Sequence, residues 1–236
     1  MFKLSFLLVF VVLASQVHSS VVKTPRDLVD QIEEELNQLS SIVQGAILVA
    51  HNDLSNLEYD FLNYGNNVML EAGISIDQEK QSIDTQLTTI TDMANSVNAD
   101  ISPCTDIRQE LLERLPAEYT NQLKTCIFDK NKQEAGLVSD AKYVVDVVIN
   151  KVHNLEFQVR QCKESILCLQ PILTEIELDK IRLPQTINTE VLSVDTFLTS
   201  LKLSVVQCSD SSVSQYIADA TTILQQIIDC VNRIIG

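Results

Sequence analysis

The chain has 236 residues, with 32 Asp and Glu against 17 Lys and Arg and a formal net charge of −15. Its basic residues are sparse and unclustered, so nucleic acid and anionic lipid surfaces are not expected partners: like charge repels them. Trp is absent, aromatic residues make up 5 %, and there are five Gly and five Pro, a composition that suits long helices better than the turn-rich, strand-rich sequences of sandwiches and barrels.

Residues 1–19 read as a secretory signal peptide. Lys3 supplies the positive start, residues 6–14 are an unbroken apolar run, and Val17 and Ser19 fit the −3 and −1 positions of a cleavage site after Ser19. A spanning helix needs about 20 apolar residues, whereas this core ends at Gln16 and His18. Cleavage removes Lys3 and leaves the mature chain one unit more negative. The expected product is a secreted, extracellular, acidic protein with no membrane attachment, forming one elongated domain over residues 20–236.

Thr24, Pro25 and Asp27 are spaced as cap, first helical position and dipole-favoured N3 acid, so a helix is expected to open there. Leu28 and Ile32 lead into a seam of Leu36, Leu39, Val43, Ala46, Ala50, Leu54, Leu57, Phe61, Tyr64 and Val68, whose alternating steps of three and four keep one edge facing a partner helix. Gly65 marks a site of weakening, and Gly73 with Ser75 a turn. A second seam runs Ile76, Ile83, Leu87, Ile90, Ala94, Val97 and Ile101. Pro103 is expected to start the next helix, with Ile107, Leu111 and Leu115 inward, an interruption at Pro116, then Tyr119, Leu123 and Cys126 before Gly136 closes the segment.

The most regular stretch is 141–176: Ala141, Val145, Val148, Val152, Leu155, Val159, Cys162, Ile166, Leu169, Leu173 and Ile176 follow without a miss. It predicts a central rod, kinked or ended near Gln170 by Pro171. Leu183 and Pro184 predict a chain reversal. Ile187, Val191, Val194, Leu198, Leu201, Val205 and Cys208 form the next seam, Ser209 to Ser212 a capping cluster, and Val213, Tyr216, Ala220, Ile223, Ile227, Cys230 and Ile234 the last. The expected fold is an all-α, elongated, up-and-down antiparallel bundle with coiled-coil-like packing, stapled by disulfides. A division into two pseudo-repeats, 24–136 and 138–235, follows from the matched spacing of 22 between Cys104 and Cys126 and between Cys208 and Cys230.

Six cysteines in an oxidising compartment imply three disulfides. If Pro116 and Pro184 are turns, the helices on either side bring Cys104 level with Cys126 and Cys162 level with Cys208, leaving Cys168 for Cys230. Cys162 cannot reach Cys168 within a helix, where six residues advance about 9 Å. The first pair fails if the helix runs straight through Pro116, which would set its cysteines about 30 Å apart.

No catalytic, metal or cofactor motif is present. The mature chain holds two histidines, His51 and His153; His153 has Glu156 one turn on, His51 has no carboxylate at the preceding matching position, and both read as solvated or rim residues. The acidic runs Glu33, Glu34, Glu35 and Glu175, Glu177, Asp179 lack calcium-loop spacing and read as outer faces. Two non-enzymatic functions fit: an interaction or structural protein that contacts a protein partner or itself through long helical faces, and a helical carrier of a lipid or other apolar ligand, with Ala46, Ala50, Ala94 and Ala220 leaving space in the seams.

The layout of signal peptide, long acidic helices and six late cysteines, including Cys162-Lys-Glu-Ser-Ile-Leu-Cys168 and the Cys208 and Cys230 pair, resembles insect secreted proteins with the TsetseEP domain. The resemblance covers the chain from about Leu28 onward, without the glutamate–proline tail of the family's namesake. It implies an extracellular protein of gut or body fluid, defence-related and without catalysis, and it carries over no functional residue.

Overall fold

The structure is a computed structural model that describes residues 24–236; the expected signal peptide lies outside them. Four helices follow: α1 Pro25–Ser96, α2 Ser102–Val147, α3 Ile149–Cys162 and α4 Ile166–Ile235. α2 and α3 continue as one rod, so three rods pack side by side, α1 parallel to α4 and both antiparallel to α2–α3. A 72-residue helix such as α1 is about 110 Å long. The all-α, elongated, antiparallel bundle expected from the seams is the observed architecture.

α1 opens as its sequence dictates. The Thr24 N–H donates to Asp27 Oδ2 at 2.9 Å and the Asp27 N–H to Thr24 Oγ1 at 3.3 Å, a reciprocal box that satisfies two otherwise orphan donors. It closes at Asn98, whose φ of 54° is left-handed. The Ala99 N–H reaches Ala94 O and the Asn98 N–H reaches Asn95 O, both near 3 Å, which is a Schellman cap with Asn in the glycine position. Between these ends α1 is unbroken: the turn expected at Gly73 does not occur, and the helix holds at the weak point expected at Gly65. A helical glycine costs about 1 kcal/mol relative to Ala; the buried seam on either side outweighs it.

α2 opens at Ser102 with Pro103 in its first turn, as expected, but the interruptions expected inside α2 and α4 fail for the same reason. α2 runs through Pro116 and Gly136, and α4 runs through Pro171, Pro184 and the serines at 209–212. Each interior proline removes one hydrogen bond and strains the preceding turn, about 3 kcal/mol, against apolar contacts all along the helix. The inner face before Pro116 also differs: Ile107 is 77 % exposed and Cys104 and Leu112 are buried in its place, while Tyr119 and Leu123 are buried as expected.

The true discontinuities lie elsewhere. At Val148 the backbone stays right-handed but tightens, with Val148 N–H bonded to Val145 O and Lys151 N–H to Val148 O. Val144, Val145, Val147, Val148 and Ile149 surround it, and β-branched side chains crowd the preceding turn of a helix. At Lys163 the chain reverses, so the regular seam of 141–176 is two rods joined by a hairpin. The Ser165 N–H bonds to Cys162 O at 3.1 Å, and Lys163, at φ 54° and ψ −119°, sits where a type II′ turn usually places glycine.

The inner faces make two apolar clusters. The larger runs from Leu28 to Ala72 on α1 against α3, the second half of α2 from Leu123, and α4 from Leu169 to Cys208. The smaller, at the end carrying the α1–α2 turn, gathers Ile76, Ile83, Ile90 and Ala94 with Tyr119, Tyr216 and Ile227. Tyr119 and Tyr216 meet edge to face, ring centres 6.1 Å apart.

Candidate functional site

The cysteines pair as Cys104–Cys230, Cys126–Cys208 and Cys162–Cys168. All six form disulfides, but the expected pairs Cys104–Cys126, Cys162–Cys208 and Cys168–Cys230 are replaced. The reason is the single hairpin. Because α2 is continuous through Pro116, Cys104 and Cys126 lie far apart on one helix. Because the reversal falls at Lys163 and not at Pro184, Cys162 and Cys168 face each other across a turn with Cα atoms 5.4 Å apart. The midpoints of the first two pairs coincide at Leu167, and that of the third is Ser165, two residues away. One antiparallel register therefore places all three bridges. The shared spacing of 22 is then a requirement of cross-linking two antiparallel helices twice on the same face, since 22 residues are close to six whole turns. It needs no internal repeat to explain it.

The bridges tie α2–α3 to α4 three times, and none touches α1. That rod is held by its apolar seam and a few polar contacts. Lys180 on α4 pairs with Glu35, Lys142 on α2 donates to Glu58 at 3.3 Å, and His51 meets Asp146 at 2.7 Å. Lys202 lies over the Tyr64 ring, 5.6 Å from its centre. Of the acidic runs, Glu33 and Glu34 stay exposed as expected. Asp179 does not: it is 5 % exposed, 4.0 Å from Lys151, and burial pushes its carboxyl up, with Lys151 opposing. Lys151 itself pairs with Glu175. His153 lies 3.6 Å from Glu156, which also meets Arg160.

Nothing in the sequence analysis above singles out Glu134. It is 1 % exposed on the inner face of α2, and among the described residues its Oε1 has no hydrogen-bond partner, nor has Asn131 Oδ1 one turn before it. Burial, reinforced by Glu58 and opposed by Lys142, raises its pKa from 4.5 to about 7. Across from it α1 presents Gly65, where a Cβ would lie 3.3 Å from Ile127 Cγ2 and 3.6 Å from Asn131 Oδ1, so glycine here permits close approach of the rods. The available signal was the seam: Ile127, Glu134, Val138 and Ala141 step by seven, four and three. At the other end the Tyr119 hydroxyl donates to Asp219, a bond that raises its pKa to about 12.

Among the described residues no group of three or more His, Cys, Asp or Glu is placed to hold a metal. A hollow of about 520 Å³ beside the α1–α2 turn is lined mostly by hydroxyls and amides, among them Thr91, Asn95, Asn98, Ser102 and Gln109. Ala50, Ala94 and Ala220 are buried at helix contacts, and Ala46 is half-buried. One stretch of α4 is long and apolar enough, by length and composition alone, to cross a membrane; in this fold α4 lays its seam against α1 and α2. Comparisons with protein families, with characterised proteins and with solved structures find no match.

Proposed function

We propose that this chain is a secreted, non-enzymatic scaffold that acts through contacts made by its long helical faces. The observation that carries the reading is the set of three cross-links in one register, which makes α2–α3 and α4 a braced rod in an oxidising compartment. A long braced rod offers extended surface in place of a concave site. The TsetseEP-like layout points the same way, to a defence-related protein of gut or body fluid. Expression with the native N-terminus in a secreting eukaryotic host tests the address: the protein is expected in the medium, beginning at Ser20, and retention in the membrane fraction overturns it. Light scattering of that product, alone and with fractionated source fluid, tests the scaffold; a strict monomer that engages nothing counts against it.

Carriage of an apolar ligand is the second reading, and the apolar stretch of α4 favours it. Mass spectrometry of the natively extracted protein before and after delipidation separates the two, because a carrier leaves its source with stoichiometric lipid and a scaffold does not.

A further inference from the structure

The outer face of α1 carries a line of large apolar side chains opposite its core. Leu48, Tyr59 and Leu70 are 65 %, 67 % and 65 % exposed, and each lies eleven residues from the next. Eleven residues are close to three whole turns, so the three stand almost in a straight line about 33 Å long. Single exposed apolar residues are ordinary on a soluble protein; an evenly spaced row is not the pattern of scattered ones. α4 repeats the spacing on its own outer face with Ile181, Leu192 and Leu203.

Charge separates the two rows. α1 contains 13 acidic residues and only two basic ones, Arg26 and Lys80, so the 53 residues from Asp27 to Glu79 hold no Lys or Arg. Asp53, Asp60 and Glu71 are exposed between the row and the packed seam, roughly 100–140° round the helix from the row, and none is in an ion pair among the described residues. The α4 row instead has Lys180, Arg182 and Lys202 among its acids. A second copy of α1, an anionic lipid surface or a nucleic acid meets like charge on the α1 row. A helix with leucine-like residues on one face and lysine or arginine beside them meets both features at once, apolar row to apolar row and cation to carboxylate.

We propose that the outer face of α1, centred on Tyr59, is a docking surface for a cationic amphipathic helix. The inference rests on the scaffold reading and names the chemistry of its partner. No disulfide reaches α1, so the surface lies on the one rod that is not covalently braced.

The test uses the secreted protein with its disulfides intact and three fluorescent peptides of about 18 residues: an amphipathic Leu/Lys helix, its Leu/Glu counterpart, and a Ser/Lys peptide of equal charge. Anisotropy titrations are expected to show micromolar binding of the Leu/Lys helix alone, weakening several-fold from about 50 to about 300 mM NaCl. Leu48→Ser, Tyr59→Ser and Leu70→Ser together are expected to weaken it at least about tenfold with unchanged circular dichroism, and Asp53→Asn, Asp60→Asn and Glu71→Asn together to flatten its salt dependence. Equal binding of the Ser/Lys peptide, undiminished binding by the triple serine variant, or the same loss from Ile181→Ser, Leu192→Ser and Leu203→Ser on α4 overturns the proposal. So does a wild-type protein that self-associates through the α1 row without peptide. Absence of peptide binding in a protein that still engages a partner through another face removes the α1 surface and leaves the scaffold standing.

Discussion

Replacing Glu134 by Gln isolates the cost of a carboxylic acid sealed inside a three-rod bundle. Its pKa is 4.5 in an open chain and about 7 in the fold, with burial the main cause and Glu58 a second. Below the lower value both states hold the proton and the group has no effect on stability. Between the two the unfolded chain gives up its proton while the folded chain keeps it, so stability falls as pH rises. Above about 7 both are ionised and the whole cost is present. The shift of about 2.5 units corresponds to about 3 kcal/mol at 1.36 kcal/mol per unit. Glutamine keeps the shape and hydrogen-bonding of the neutral acid and never ionises. Urea unfolding of the disulfide-intact wild type and Glu134→Gln, followed by circular dichroism, is expected to give equal stabilities near pH 4. An advantage for Gln should grow to about 3 kcal/mol by pH 8. Asp179 and the carboxylates remote from Glu134 contribute equally to both proteins and cancel in the difference, whereas the Glu58 repulsion is relieved with the Glu134 charge and belongs to it. A difference that stays flat across this range refutes the reasoning, since it means Glu134 ionises in the fold as readily as outside it.

Non-reducing peptide mapping is expected to recover Cys104 with Cys230, Cys126 with Cys208 and Cys162 with Cys168; recovery of Cys104 with Cys126 would mean that α2 is broken at Pro116. Removing the outermost bridge as Cys104→Ser with Cys230→Ser should cost up to about 4 kcal/mol in urea unfolding while the Cys126–Cys208 bridge holds the register; an unchanged midpoint contradicts it. Lys163→Gly should raise stability by about 1 kcal/mol, because glycine adopts φ 54° without the strain a side chain meets there; a destabilised variant would argue against a type II′ hairpin. Gly45→Ala and Gly73→Ala, whose added Cβ meets open space, should each gain about 0.5–1 kcal/mol of helix stability, whereas Gly65→Ala crowds the Ile127 side chain and should gain nothing or lose. Thermal melts of the three decide it, and equal gains would show that the rods have room at Gly65.

Much of this architecture was legible from local pattern. The alternation of three and four identified the inner face of α1 almost residue for residue, from Leu36 to Val68, because packing against a neighbour needs only that a side chain point the same way each turn. Thr24 and Asp27 are legible for a related reason: a capping box is closed within four residues. What local pattern does not contain is the outcome of a contest between a local penalty and a distributed gain. Pro116, Pro184, Gly73 and the serines at 209–212 each carry a real helix penalty, yet the buried seam beyond each one repays it. Lys163 carries no such signal, and the chain turns there.

From that one reversal the disulfides follow. An all-α rod, the faces its helices bury, its acidity and the number of its cross-links follow from residue type and spacing along the chain. Where the rods end is visible in the packed fold alone, and with it which cysteines meet, that Asp179 and Glu134 lie inside, and that α1 alone is left unbraced. Those depend on the alignment of residues far apart in sequence, and a register shared by two antiparallel helices becomes visible only once the position of the turn between them is known.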